Sequence, residues 1–243
     1  MRILSLPHFS APPFGGDDRQ DHLTPAQREA LAACSQRLSL RRGAVIYRAG
    51  SAADAIYNIA EGVIKTCAIA PDGVLRVMDF LSAGDLFGLT DDGDYVHTAV
   101  AITAARLYKI PLSELERLMR ADPSLDICLV VKLLDELREA NRRALLLGRK
   151  DALGRVAMFI GMLRRHGWGQ ARDRDSLYLP MTHGDIASFA GITKETLSRN
   201  LALLRKAGVI ACPDRRHLRI LNRAALQRLA ESEFLPDPGR ARA

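Results

Sequence analysis

Cysteine is scarce and scattered in this sequence. Cys34, Cys67, Cys128 and Cys212 stand far apart and no two form C-x-x-C. That spacing excludes a zinc knuckle and the disulfide framework of a small secreted domain, and it fits a reducing compartment. Long apolar runs are missing too: none approaches the roughly 18–20 residues that span a bilayer. The start, MRILSLPHFSAPPFGGDD, is apolar but has neither a continuous hydrophobic region nor a small-residue cleavage site, so it does not read as a signal peptide. A cytoplasmic protein without membrane contact is expected. The signatures of common enzymes are absent as well, with no G-x-S-x-G, no glycine-rich phosphate loop and no H-E-x-x-H. Asp91, Asp92 and Asp94 cluster in a glycine-containing loop, but they lack the full EF-hand spacing and read as a solvated turn. Neither catalysis nor a metal is expected.

What is present is ample apolar material and an uneven charge. The 243 residues are 48% hydrophobic, enough for one large core or two ordinary ones. Residues 1–150 hold 19 Lys and Arg against 19 Asp and Glu, and residues 151–243 hold 16 against 9. The whole net charge of +7 therefore lies in the C-terminal part. A basic module joined to a neutral one is the footprint of a polyanion binder, because phosphates attract Lys and Arg whatever the base sequence.

Residues 1–22 are rich in Pro, Gly and Asp and read as an N-terminal arm. Residues 23–40 have a helical pattern, with Thr24 as N-cap, Pro25 at the first helical position, then Leu31 and Leu38. From about 42 to 110 the texture changes to β-branched and aromatic runs such as AIYNIAEGVIKTCAIA and VLRVMDFLSAGDLFGL, punctuated by glycines. Short strands with a turn signal about every ten residues imply an all-β barrel or jelly roll. APDGV at 70–74 is the expected hairpin turn.

A long helix is expected from Pro123 to about Gly148. Ile127, Val130, Leu134, Leu137, Asn141, Ala144 and Gly148 alternate steps of three and four, which is a heptad seam. Asn141 falls inside it, and an Asn in such a seam favours a two-stranded, in-register pair at some cost in stability. The reading is a parallel dimer contact. Leu133 and Leu147, just off the seam, leave open a helix lying on its own barrel.

The basic part is the most informative. DALGRVAMFIGMLRRHG (151–167) is an amphipathic helix and LYLP a short strand-like run. Thr182 then caps a short helix whose third residue is Asp185, Gly191 supplies a sharp turn, and Thr193 caps a second helix that stops at Gly208. Two β-like runs around Asp-Arg-Arg follow. Together these make a winged helix-turn-helix. Its second helix enters the major groove N-terminus first, so its early residues meet base edges. Glu195, Ser198 and Arg199 are the readout candidates: Arg199 can pair bidentately with guanine, Glu195 can accept from cytosine, and Ser198 can reach a base edge or phosphate. Thr182, His183, Lys194, Thr196, Arg205, Lys206, Arg215 and Arg216 are candidates for the phosphate backbone. Double-stranded DNA is the expected partner.

A β-roll, a long helix and a winged helix-turn-helix, in that order from about residue 25 to 230, resemble the CRP/FNR family of bacterial transcription regulators. MTHGDIASFAGITKETLSRNLALLRKAGVI carries the likeness most specifically, with Glu195, Ser198 and Arg199 matching the E-x-x-S-R motif of the FNR branch. GDLFGL (84–89) and HTAVAIT (97–103) are most similar to the FixK group, which regulates microoxic respiration and nitrogen-fixation genes. The resemblance implies an α+β chain. Its parts would be an arm (1–22), a cyclic-nucleotide-binding-like β-roll or jelly roll (23–118), a dimerisation helix (119–150), a winged helix-turn-helix (151–235) and a tail (236–243). It also implies a homodimer reading a palindrome like TTGAT…ATCAA, and activation through contact with RNA polymerase.

The departures from the family bear on cofactors. Cyclic-nucleotide binders of the family use a Gly-Glu pair and an Arg-Ser/Thr dipeptide; here Gly88 precedes Leu89, and GDYVHTAVA offers no Arg. The iron–sulfur regulator of the family uses clustered N-terminal cysteines plus one in the barrel; here none precedes Cys34, and the barrel position aligns with Tyr108. No cofactor is expected. His97 is a candidate axial haem ligand, otherwise structural, and a regulator gated by haem or a small effector, sensing nitric oxide or redox state, is the alternative. A non-specific nucleoid protein is a more distant one. Cys212 beside Arg215 and Arg216 is a candidate redox switch, since nearby cations favour thiolate; the alternative is a small buried hydrophobe.

Overall fold

The computed structural model describes residues 23–90, 93–166 and 175–231. The arm and tail expected at 1–22 and 236–243 lie outside the described residues, as do Asp91 and Asp92. Two compact units divide the chain, Met1–Arg138 and Glu139–Ala243.

The first unit opens with α1 (Pro25–Cys34). Its cap is the expected one: the Thr24 hydroxyl accepts the Gln27 backbone N–H at 3.2 Å, and the Gln27 side chain accepts the Thr24 N–H at 2.9 Å. The helix stops earlier than the periodicity to Leu38 suggested. Ser35 turns extended, its hydroxyl and N–H both returning to the Ala32 carbonyl. The next five residues form β1 (Gln36–Leu40), on which Leu38 and Leu40 point inward while Gln36, Arg37 and Ser39 are exposed. Leu38 thus belongs to a strand: spacing of seven fits a helix, but alternation over 36–40 fits a half-buried strand better.

Seven more strands complete the unit: β2 (Val45–Tyr47), β3 (Ala55–Glu61), β4 (Val63–Ile69), β5 (Leu75–Ser82), β6 (Leu86–Phe87), β7 (Thr98–Ala101) and β8 (Ala105–Pro111). They pair antiparallel in two sheets, ordered β1-β8-β3-β6 and β2-β7-β4-β5. Tyr57, Ile59 and Leu107 of one sheet meet Ile64, Leu81, Ala99 and Ala101 of the other in a shared core, which is the expected β-roll. The 70–74 hairpin forms as read: Gly73 sits at φ 77 with its N–H on the Ala70 carbonyl at 2.8 Å.

Helix α2 (Leu112–Ala121), which the sequence pattern did not announce, leads into α3 (Ser124–Gly148). The Asp122 carboxylate accepts the Ser124 N–H at 3.1 Å and its hydroxyl at 2.5 Å. Gln27 donates to both Asp122 and Ser124, tying α1 to the start of α3. Along α3 the heptad seam is uncovered: Ile127 is 67% exposed, Val130 54%, Leu134 47% and Leu137 55%. Asn141 and Ala144 are exposed as well.

The second unit comprises the end of α3 with α4 (Ala152–His166), β9 (Ser176–Tyr178), α5 (His183–Ala190), α6 (Lys194–Lys206), β10 (Ile210–Ala211), β11 (His217–Ile220) and α7 (Arg223–Glu231). The strands form one small sheet, β10-β11-β9. The division falls inside α3 because its last turns are bonded into this unit. Glu139 meets His166 at 2.8 Å with both side chains nearly buried, Arg143 stacks over the Phe189 ring at 4.9 Å, and Leu146 is fully buried.

One buried acid in the first unit sets a pH dependence. Asp85 accepts the Ser82 N–H at 2.7 Å, with Lys132 at 3.9 Å. Burial pushes its carboxyl well above the usual range and Glu136 and Asp79 add to this, while Lys132 and the Ser82 N–H pull the other way. The folded chain therefore holds a proton that the unfolded chain releases, and stability falls as pH rises above the ordinary aspartate range. Asp85→Asn keeps an oxygen for Ser82 and removes the titration. In urea unfolding series from pH 4 to 7.5, the variant should gain on the wild-type protein as pH rises; a difference independent of pH would contradict this.

Candidate nucleic-acid interface

Two threonines and a glycine build the site. The Thr182 hydroxyl accepts the Asp185 N–H at 3.1 Å, and the Asp185 carboxylate accepts the Thr182 N–H at 3.1 Å, which starts α5 at the expected residue. Gly191 ends α5 at φ 62, a left-handed conformation that glycine adopts without the Cβ penalty, with its N–H returned to the last turn of the helix. Thr193 then caps α6 by accepting the Thr196 N–H at 3.1 Å. Leu197 and Leu204 bury their side chains, and buried Asn200 donates to the Thr196 carbonyl at 2.8 Å.

With that face packed, the opposite one is open. Glu195, Ser198 and Arg199 are all exposed in the first two turns of α6. Glu195 and Arg199, four apart, do not pair with each other. Instead the Arg199 guanidinium donates to the Thr196 hydroxyl at 3.3 Å. The backbone N–H of Glu195 and the Thr193 hydroxyl hold the Glu195 carboxyl below the usual range, so it stands ready as an acceptor at neutral pH. Steps of four, three and four carry the stripe through Arg199 and Ala202 to Lys206, with Arg205 alongside, all exposed.

The remaining candidates divide. Lys194 is exposed, its stem lying across Gly184, and His183 is half-buried at the first position of α5. Arg215 and Arg216 sit exposed in the turn between β10 and β11. Asp214 shapes that turn by accepting the N–H groups of Arg216 at 2.7 Å and His217 at 2.9 Å. The Thr196 oxygen accepts from the Arg199 guanidinium at 3.3 Å and lies 3.1 Å from the Thr193 hydroxyl. The Thr182 hydroxyl donates to Asp185 at 2.7 Å. Without DNA, the one proton of Thr182 serves the cap.

Cys212 has different neighbours from those its place in the sequence suggests. It lies half-buried just past β10, and burial pushes its thiol up; Arg205, not Arg215 or Arg216, is the cation that pulls against this. That direction favours the second of the two readings, a small partly buried hydrophobe. The sequence pattern also passed over two exposed residues of β11: Arg219, and His217, which pairs with Asp214 at 2.7 Å beside the Tyr178 ring. Only the polar alternation of HLRIL hinted at them.

In the first unit, Gly88 sits at φ 87, where a Cβ would meet Tyr57 at 3.1 Å and Tyr95 at 3.3 Å. Tyr47, Tyr57, Phe87 and Tyr95 stack there, with Tyr47 and Tyr95 3.8 Å apart, so rings fill the roll beside Gly88. His97 is half-buried at the bend before β7, and Tyr108 is buried on β8. Among the described residues no group of three or more His, Cys, Asp or Glu is placed to hold a metal ion, and no helix is long and apolar enough to cross a membrane.

Comparison with known proteins follows the same division. Residues 37–122 match the cyclic nucleotide-binding domain and residues 154–229 the Crp-like helix-turn-helix domain. The chain is 34% identical over 206 residues to the nitrogen fixation regulation protein FixK of Azorhizobium caulinodans, covering 84% of this chain and 82% of that protein. It is 31% identical over 207 residues to a probable transcriptional activator of Rhizobium leguminosarum bv. viciae, covering 85% and 86%. The solved structure of FixK2 from Bradyrhizobium japonicum is similar with a TM-score of 0.74 and 30% identity, covering 80% of this chain and 96% of that one.

Replacing Thr193 tests the architecture of the reading helix. Thr193→Ala removes the cap of α6 and should cost about 1 kcal/mol of stability. It should also let the Glu195 carboxyl rise toward its ordinary range, read by NMR titration. An unmoved Glu195 would mean that Thr193 does not hold it.

Proposed function

From a chain that belongs to the CRP/FNR family of DNA-binding transcription regulators, and is a FixK-like regulator rather than an enzyme, we propose a homodimer that reads a palindrome of the TTGAT…ATCAA type. One observation carries the reading: Glu195, Ser198 and Arg199 stand exposed together on one face of a capped helix, with a basic wing beside it. Arg199 pairs with guanine, Glu195 accepts from cytosine N4, and Ser198 bonds a base edge or phosphate. Lys194, Thr196, Arg205, Lys206, Arg215 and Arg216 hold the backbone, and their charge steers approach.

The second copy is argued from α3. Four large apolar side chains, Ile127, Val130, Leu134 and Leu137, stand about half or more exposed in a heptad stripe, which a monomer leaves in water. A parallel partner helix covers them and pairs Asn141 with its counterpart. Ring packing beside Gly88 and the missing Arg support a regulator that works without cyclic nucleotide, and the dispersed cysteines support one without an iron–sulfur cluster. Similarity to a nitrogen fixation regulation protein and to a probable transcriptional activator supports activation of nitrogen-fixation genes, and the family resemblance extends this reading to RNA polymerase contact and to genes of microoxic or anaerobic respiration.

Fluorescence anisotropy of the ligand-free protein, purified in air, on a TTGAT…ATCAA duplex and a scrambled duplex of equal length tests this. Tight, selective binding is expected, and Glu195→Ala or Arg199→Ala should weaken it roughly 10- to 100-fold on the palindrome alone. Lys206→Ala should weaken binding to every duplex and flatten the salt dependence. Equal affinity for both duplexes would instead mark a non-specific nucleoid protein.

A further inference from the structure

We infer that Arg155 is a positioning residue for operator reading, joining the end of α3 to the turn from which the reading helix departs. The inference rests on the proposed dimeric reader and adds what sets the presentation of its two α6 helices. Arg155 lies in the first turn of α4. Its Nε donates to the Arg149 carbonyl at 2.7 Å, just past the end of α3. Its Nη1 donates to the Gly191 carbonyl at 3.0 Å and the Ala190 carbonyl at 3.3 Å, where α5 ends and the chain swings into α6. One rigid guanidinium thus spans the two points whose separation sets the pose of α6. The cation also suits the negative end of α5. A lysine ammonium donates from a single point and cannot span both.

Both ends of this bridge are themselves held. The Arg149 side chain is fully buried, bonded to Asp151 at 2.8 Å and to the Leu229 and Ala230 carbonyls at 3.1 and 2.6 Å. It packs against Gly154 so closely that any Cβ there would overlap its guanidinium. The Arg149 carbonyl is therefore a fixed anchor. At the other end, a Cβ on Gly191 would meet Leu147 of α3 at 3.1 Å and Arg155 Nη1 at 3.2 Å, and Arg143 of α3 stacks on Phe189 of α5. The last turns of α3 and the turn of the helix-turn-helix form one joint, with Arg155 as its polar link. Every bond of Arg155 in that joint goes to a backbone carbonyl.

In a dimer zipped along α3, such a joint carries the geometry of the seam to each reading helix. Loosening it leaves each helix able to read its half-site but lets the distance between the two vary. The benefit of holding both half-sites at once depends on their matching the span, so discrimination between spacers falls before discrimination between bases.

Full-length protein is tested by anisotropy on the palindrome, on palindromes with one base pair added to or removed from the spacer, and on one with a substituted half-site. Wild type should prefer the native spacer by about tenfold or more. Arg155→Met should keep the wild-type preference for the correct half-site bases while its preference for spacer collapses to within about threefold, with Arg155→Lys between them. Equal loss on every duplex, or an unchanged spacer preference, overturns the inference. Hydrogen exchange of the DNA-free protein judges the joint separately from the operator. Arg155→Met should speed exchange at the end of α5 and at Ile192, and unchanged protection there overturns the inference even if the wild-type protein proves unselective. Should Arg155→Met fail to fold, Arg155→Gln, which retains a donor amide, takes its place in both measurements.

Discussion

The left-handed turn at Gly191 is the constraint on which the reading face depends. A residue with a Cβ pays a steric cost at φ 62 and would press on Leu147 and Arg155 as well. With glycine there, α5 closes onto its own last carbonyls and α6 starts three residues later, at Lys194, under the Thr193 cap. Everything chemical about the face follows from that departure. The helix buries Leu197 and Leu204 behind it, so Glu195, Ser198 and Arg199 have nowhere to point but outward. The caps at Thr182 and Thr193 satisfy backbone N–H groups that DNA would otherwise have to satisfy in part.

Charge and apolar surface are separated along the chain in a way that suits this role. Residues 1–150 carry no net charge and the roll a packed aromatic interior, while the seam of α3 carries exposed leucines and the C-terminal part the excess of cations. Each surface has one kind of partner: apolar for apolar, phosphate for cation. Because the last turns of α3 pack into the C-terminal unit, through Glu139 with His166 and Arg143 with Phe189, the helix that bears the seam is continuous with the support of the reading helix.

Local chemistry made much of this legible in the sequence. Thr182, Gly191 and Thr193 have strong conformational preferences that need no tertiary context, so both helices and their turn could be placed to the residue. The seam and the β-roll were readable from period alone. What escaped was set by distant partners. Leu38 fits a helix by spacing, yet pairing with Leu107 of β8 makes it a strand residue. Helices α2 and α7 are short and gain their definition from packing. Cys212 shares its neighbourhood with arginines in sequence, but burial outweighs them in space. Nothing local marks Arg155 on its amphipathic helix, and only the fold shows that its partners are carbonyls 6, 35 and 36 residues away.

Hydroxyl-radical footprinting of the protein on a long duplex holding one TTGAT…ATCAA site tests the central claim most directly, because it reports symmetry and sequence choice together. Two short protected tracts, related by the dyad of the palindrome and about one helical turn apart on one face of the DNA, are the predicted result. A single tract, or protection spread along the duplex without regard to the site, would contradict a symmetric pair of reading helices.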